Sequence, residues 1–102
     1  MVEARLHPRL RLNVLADVIG REVLLGREVG DISLGGLRFL GAGWEEPGTI
    51  VDLVLTFADL EDASVTLRAE VLRSTERDMG LRFCELSDDQ KWALRKYVKA
   101  PR

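Results

Sequence analysis

The sequence predicts an all-β fold with a C-terminal helix, in which six short strands curl into an antiparallel barrel. Apolar residues alternate with polar ones along several short segments, which is the period of a half-buried strand. Glycine, proline and acidic residues separate these segments at close spacing, as in small barrels. Near the end of the chain the apolar spacing becomes helical.

Each predicted strand follows from its own pattern. The first alternates most clearly, with Val14, Ala16 and Val18 on one face, and the second is less regular because Gly26 and Gly30 predict a bulge or a close backbone approach. The remaining strands are short apolar alternations between turns. The six predicted strands cover residues 10–18, 23–32, 36–40, 50–57, 65–71 and 79–83.

The helix is predicted over residues 87–99. Ser87 and Gln90 have the spacing of a capping box, and acidic residues follow Ser87 while lysines occupy the last turn, as the helix dipole favours. Pro101 ends the helix. The apolar stripe expected to face the barrel consists of Trp92, Leu94, Tyr97 and Val98.

The length of 102 residues is typical of one domain. We expect residues 1–9 to form a flexible basic arm, residues 10–84 the barrel and residues 87–99 the helix. A single cysteine, Cys84, makes no internal disulfide, so a reducing cytoplasm is expected. No apolar run is long enough to span a bilayer and no signal peptide is evident, so membrane insertion is not expected.

The net charge of −2 conceals an uneven distribution. Residues 1–12 carry three arginines against one glutamate, and residues 91–102 carry five basic residues and no acidic one. Basic ends on an acidic body argue against binding to a nucleic-acid polymer, although a small anion is compatible with them. The sequence has no nucleophile–base pair and no metal-ligand set, so neither an enzyme nor a cofactor is expected.

Two motifs suggest a binding site. Arg5 and Arg9 precede the first strand, and Pro8 favours an extended rather than helical arm between them. The second motif, after the second strand, contains Asp31, Ser33 and Gly36. A hairpin with its turn at residues 20–22 is expected to return residue 10 beside residue 32, and so to join the motifs. Guanidinium groups suit phosphates and bases, while a carboxylate accepts from base N–H groups.

Each motif also has a purely structural interpretation. The arginines would then belong to a solvated terminus, and Asp31, Ser33 and Gly36 would only build a turn. Trp44 is expected to pack in the core or on the barrel rim rather than to stack on a base. Whether Arg82, which is expected to face outward, reaches an anion stays open.

The chain resembles the PilZ domain family, bacterial receptors for cyclic di-GMP. The similarity rests on Arg5-x-x-x-Arg9, Asp31-x-Ser33-x-x-Gly36, the segments at residues 36–39 and 80–83, and the closing helix. It implies a six-stranded antiparallel β-barrel of the split-barrel type with a C-terminal helix. It further implies that Arg5 and Arg9 bind phosphate and guanine, and that Asp31, Ser33 and Gly36 hold the other side of a guanine.

The resemblance also implies a function. A single-domain member is expected to be a cytoplasmic adaptor that binds cyclic di-GMP and passes the signal to a separate, unidentified protein. Many members have a further arginine where this chain has Ala4, which favours one ligand molecule over two. The alternatives are a PilZ-like interaction module that binds no nucleotide and a small barrel that binds nucleic acid.

Overall fold

A computed structural model describes residues 13–61 and 63–98. Within these ranges, seven strands, all paired antiparallel, form one sheet in the order β2-β1-β5-β6-β7-β4-β3, and one helix follows them. A 3-10 turn, Ala58–Leu60, follows β5. The elements are β1 (Val14–Ile19), β2 (Val23–Glu28), β3 (Asp31–Ile32), β4 (Gly36–Leu40), β5 (Ile50–Phe57), β6 (Ala63–Ser74), β7 (Asp78–Phe83) and α1 (Asp88–Val98).

The two edge strands of the sheet, β2 and β3, are neighbours in sequence, so the sheet curls until its edges meet. The N–H of Val29 donates to the carbonyl of Val14 on β1 at 3.0 Å, and the N–H of Gly30 donates to the carbonyl of Arg38 on β4 at 2.8 Å. The consecutive residues Val29 and Gly30 therefore join the two edges of the sheet, because Val29 bonds to β1 and Gly30 bonds to β4. The expected all-β fold with a curled antiparallel sheet and a C-terminal helix is confirmed.

The strand count differs from the prediction of six because predicted strand 23–32 is divided at Val29 and Gly30. Its first part pairs with β1 and its second part with β4. A Cβ on Gly30 would lie 2.7 Å from the side chain of Leu40, so glycine allows the close approach at which the chain changes partners. The prediction of a glycine-dependent irregularity here is confirmed.

The interior follows from the strand alternation. Inward positions on β1, β4, β5, β6 and β7 are buried, while the alternating positions face solvent. Leu94 of α1 is 1% exposed and joins this core, and the rings of Tyr97 and Phe57 lie 5.2 Å apart. Phe57 is paired with Val14, so α1 covers the end of the barrel where β1 begins.

The capping box of α1 is present as predicted. The N–H of Gln90 donates to the Ser87 hydroxyl at 3.1 Å, and the N–H of Ser87 donates to the Gln90 side-chain oxygen at 2.7 Å. The Gln90 side-chain amide also donates to the carbonyl of Thr66, which ties the first turn of α1 to β6. Within the described ranges, no helix has the length and hydropathy that crossing a bilayer requires.

Candidate functional site

The predicted Asp31–Gly36 motif forms the tight turn between β3 and β4. The N–H of Ser33 donates to the Gly36 carbonyl at 2.9 Å, and the Ser33 hydroxyl accepts from the N–H of Gly35 at 3.2 Å. Ser33 therefore stabilises the turn with both its backbone and its side chain, as the structural interpretation expects.

Gly36 is required by close packing between two strands. A Cβ at this position would overlap the carbonyl oxygen of Leu81 on β7, and the N–H of Phe83 donates to the neighbouring Gly35 carbonyl at 2.9 Å. The absence of a side chain lets β4 approach β7 at the turn. This approach is a structural reason for glycine that is independent of any ligand.

An open groove of about 630 Å³ lies over this turn, on the outer faces of β3, β4, β7 and β6. Gly80 leaves space in the groove, because it has no side chain and no other atom lies within 4 Å of the position that its Cβ would take. We call this depression the arginine groove. The polar side chains that line it are those of Asp31, Ser33, Arg38, Arg73 and Arg82.

Strand register explains how distant residues meet in the arginine groove. Arg38 pairs with Asp31 on one side and with Gly80 on the other, and Gly80 in turn pairs with Arg73. Gly36 pairs with Arg82 one step along the same face. The first row thus crosses four strands and contributes two guanidinium groups, and the second row crosses β4, β7 and β6 and contributes that of Arg82.

Arg73 faces outward only because β6 contains a bulge. The pairing of β6 with β7 shifts between Val71 and Arg73, so Leu72 is an extra residue. Strict alternation from Glu70, which faces outward, would have turned Arg73 into the core. The bulge brings its side chain onto the outer face, where it lines the arginine groove.

Acidic partners hold these arginines in ion pairs. Nη2 of Arg38 lies 2.6 Å from Oδ2 of Asp31, and Nη2 of Arg82 lies 3.0 Å from Oε1 of Glu70. The side chains of Arg82 and Arg73 are 63% and 57% exposed. Exposed pairs of this kind contribute about 0–1 kcal/mol, so an anionic ligand can compete with Glu70 for the guanidinium group of Arg82 at small cost.

Asp78 is the most enclosed of the acidic partners. Its carboxylate accepts from Nε of Arg73 at 3.2 Å and from Nη2 at 2.7 Å, and it also contacts Arg38 and the Thr75 hydroxyl. The Arg73 hydrogen bond is the largest of the causes that hold the pKa of Asp78 below its ordinary value of 3.8, with Thr75 and the charge of Arg38 adding to it. The carboxylate therefore stays ionised near neutral pH.

Arg5 and Arg9 lie outside the described residues, as does residue 10, so the expected contact of residue 10 with residue 32 stays a prediction. The described chain starts at Asn13, whose carbonyl accepts from the N–H of Ala58 at 3.1 Å. Val14 is bonded to Val29, two residues before Asp31. Asn13, the first described residue, therefore lies near the segment that leads into the motif turn.

Trp44 packs on the barrel rim, as predicted. Its ring centroid lies 5.2 Å from that of Phe39, and the guanidinium of Arg27 lies 4.8 Å from the ring. It does not line the arginine groove.

The sequence motifs did not predict Arg38 and Arg73 as site residues, and they left open whether Arg82 reaches an anion. Arg38 and Arg82 could have been found, because each occupies an outward position on a strand beside the motif. Arg73 could not be found by alternation, because the bulge reverses its direction.

Comparison with known protein families matches residues 3–100 to the PilZ domain. A search of curated proteins found no relative that matches the chain. The match covers nearly the whole sequence and agrees with the mainly β fold and C-terminal helix described above. PilZ domains are binding modules, and the family in general comprises receptors and adaptors for cyclic di-GMP. This chain belongs to the PilZ domain family.

Proposed function

We propose that this protein is a bacterial, cytoplasmic receptor for cyclic di-GMP that acts as an adaptor for a separate protein. The observation that carries the proposal is the arginine groove, which Arg38, Arg73 and Arg82 line together with the motif residue Asp31. Its volume of about 630 Å³ lies within the range of small-molecule sites.

The chemistry of the groove matches the ligand. Cyclic di-GMP carries two negative phosphates and two guanines, and guanidinium groups bind phosphate through charge-assisted hydrogen bonds or stack on bases. The carboxylate of Asp31 accepts from the N–H groups on a guanine edge. Its side chain is 54% exposed, so a ligand can reach it.

The arm is proposed to complete the site. Arg5 and Arg9 would close over the ligand from residues 1–12, whose attachment at Asn13 and Val14 lies near the start of β3. Ordering the arm costs conformational entropy, which the charge-assisted hydrogen bonds offset. Ala4 in place of a further arginine favours one ligand molecule per domain. Ordering of the arm over the ligand-filled groove would alter the surface that the downstream partner recognises.

Isothermal titration with cyclic di-GMP tests the proposal. We expect the wild-type protein to bind one equivalent, and Arg9→Ala and Asp31→Ala to lose most of that affinity. The matched control is Arg68→Ala, which removes an exposed arginine that pairs with Asp52 at 3.1 Å and does not line the groove. Absence of binding by the wild type, or equal losses in Arg9→Ala and Arg68→Ala, would contradict the proposal.

A second candidate function is a PilZ-like interaction module that binds no nucleotide. It is favoured by the structural work that the motif already performs: Ser33 stabilises its own turn, Gly36 allows strand packing, and Asp31 pairs with Arg38. An amide spectrum that does not change on addition of cyclic di-GMP would support this alternative. For binding to a nucleic-acid polymer, a mobility-shift assay with short RNA is the corresponding test, and we expect no shift.

A further inference from the structure

Four charged side chains form a continuous chain of ion pairs along one side of the arginine groove. Arg38 contacts Asp31 at 2.6 Å through Nη2 and Asp78 at 3.4 Å through Nη1. Asp78 in turn holds Arg73 at 2.7 Å. We call this arrangement the acid–arginine ladder. It connects the motif residue Asp31 to a carboxylate on β7 that does not line the groove.

The two carboxylates of the ladder differ in how firmly they are held. The Asp78 side chain is 13% exposed, against 54% for Asp31. The N–H of Asp78 donates to the Thr75 hydroxyl, and its carboxylate receives two hydrogen bonds from Arg73. Asp78 is thus the fixed end of the ladder, and Asp31 is the end that faces solvent.

Arg38 connects the fixed carboxylate of Asp78 to the motif residue Asp31. Its Nε is buried and has no hydrogen-bond partner among the described residues, so within this part of the chain its guanidinium is held through the two Nη atoms. The contact with Arg38 uses Oδ2 of Asp31 and limits the rotation of that carboxylate. Immobilising a side chain before a ligand arrives lowers the entropy cost of binding.

We propose that Asp78 is a positioning residue for guanine recognition, acting through Arg38 to hold the Asp31 carboxylate in the orientation that accepts the guanine amine. This inference rests on the function proposed above. It assigns a role in ligand selectivity to a residue that makes no contact with the ligand. Removal of the Asp78 charge frees the guanidinium groups of Arg73 and Arg38 at that end of the ladder, while no residue that lines the groove is itself substituted.

The test compares cyclic di-GMP with cyclic di-IMP, which has the same phosphates and lacks only the exocyclic amine of each base. Loss of a hydrogen bond to a charged group reduces affinity by about tenfold or more, so we expect the wild type to prefer cyclic di-GMP by about that factor. In Asp78→Asn we expect this ratio to fall to about twofold or less. A purely structural role for Asp78 would weaken both ligands equally and leave the ratio unchanged.

Two further variants keep the test decisive. Arg38→Lys keeps the positive charge but cannot hold two carboxylates in a fork, so it should lose selectivity even if Asp78→Asn fails to fold. Glu70→Gln breaks the Arg82 pair on the same face and should leave the ratio at the wild-type value. Wild-type binding with an unchanged ratio in folded Asp78→Asn, or in Arg38→Lys, overturns the inference alone. A wild-type protein that binds neither dinucleotide overturns the proposed function itself.

Discussion

Oε2 of Glu45 accepts a hydrogen bond from the backbone N–H of Arg21 at 2.9 Å, although the two residues are 24 positions apart in the chain. The same oxygen accepts from the N–H of Glu22 at 3.3 Å, and the Glu45 side chain is among the largest that are fully buried. One carboxylate thus joins the β1–β2 turn to the loop between β4 and β5. It lies at the end of β1 opposite to the one covered by α1.

Glu45→Ala should lower the free energy of unfolding by about 2–3 kcal/mol, because it leaves two partly buried N–H groups without an acceptor. Glu45→Gln keeps an acceptor oxygen and should cost less. The control is Glu46→Ala at the exposed neighbouring position, where a change within about 0.5 kcal/mol is expected. Urea denaturation measures all three, and equal values for Glu45→Ala and Glu46→Ala would contradict the assignment.

Gly36→Ala should destabilise the domain by about 1–3 kcal/mol, because the added methyl group meets the Leu81 backbone rather than a flexible side chain. Gly35→Ala is the matched control, since a Cβ there has nothing within 4 Å. Thermal denaturation measures the stability of both variants, and the difference between them isolates the steric clash at Gly36 from the loss of backbone freedom that any glycine-to-alanine change causes. A Gly36→Ala variant as stable as Gly35→Ala would show that β4 and β7 do not approach as closely as described.

The contribution of Asp78 to the free energy of unfolding should depend on pH. Its pKa is lowered in the folded state, mainly by the Arg73 hydrogen bond, so its contribution is fully present above the ordinary value of 3.8 and is lost as pH falls through the lowered folded value. The difference in unfolding free energy between wild type and Asp78→Asn should be constant from pH 7 to about pH 5 and shrink at lower pH. A difference that grows on acidification would contradict this direction.

Arg82→Ala should weaken cyclic di-GMP binding by about tenfold, because in the proposed site it removes one charge-assisted contact to the ligand. It should also reduce the dependence of affinity on salt, since fewer charged contacts remain to be screened. Titrations at low and high salt measure both effects, with Arg68→Ala as the control at an exposed ion pair outside the groove. Equal salt dependence in wild type and Arg82→Ala would place Arg82 outside the binding site.

Sequence pattern predicted most of the fold because strand alternation reports burial directly. The fourth predicted strand, residues 50–57, coincides with β5, and the Ser87–Gln90 capping box marks the start of α1. The division of residues 23–32 was only partly predictable. Gly30 marked an irregularity, but the change of partner from β1 to β4 depends on closure of the whole sheet.

The candidate site was predicted less completely, since its residues meet through strand pairing rather than sequence spacing. Asp31 was identifiable from its motif, whereas its contact with Arg38 requires the register of β3 on β4. Arg73 was hidden by the bulge that turns it outward. The burial of Glu45 gave no sequence signal at all, because its partners are backbone N–H groups of a distant turn and the surrounding glycines and acids resemble an exposed loop.

The central claim is that cyclic di-GMP binds in the arginine groove, and mapping of backbone amide shifts tests it most directly. Titration of ¹⁵N-labelled protein with cyclic di-GMP should shift the amides of residues 31–36 and 80–82 together with that of Arg73, and leave those around Arg68 in place. Shifts confined to α1 or to the loop at residues 41–49, or no shifts at saturating ligand, would contradict the account.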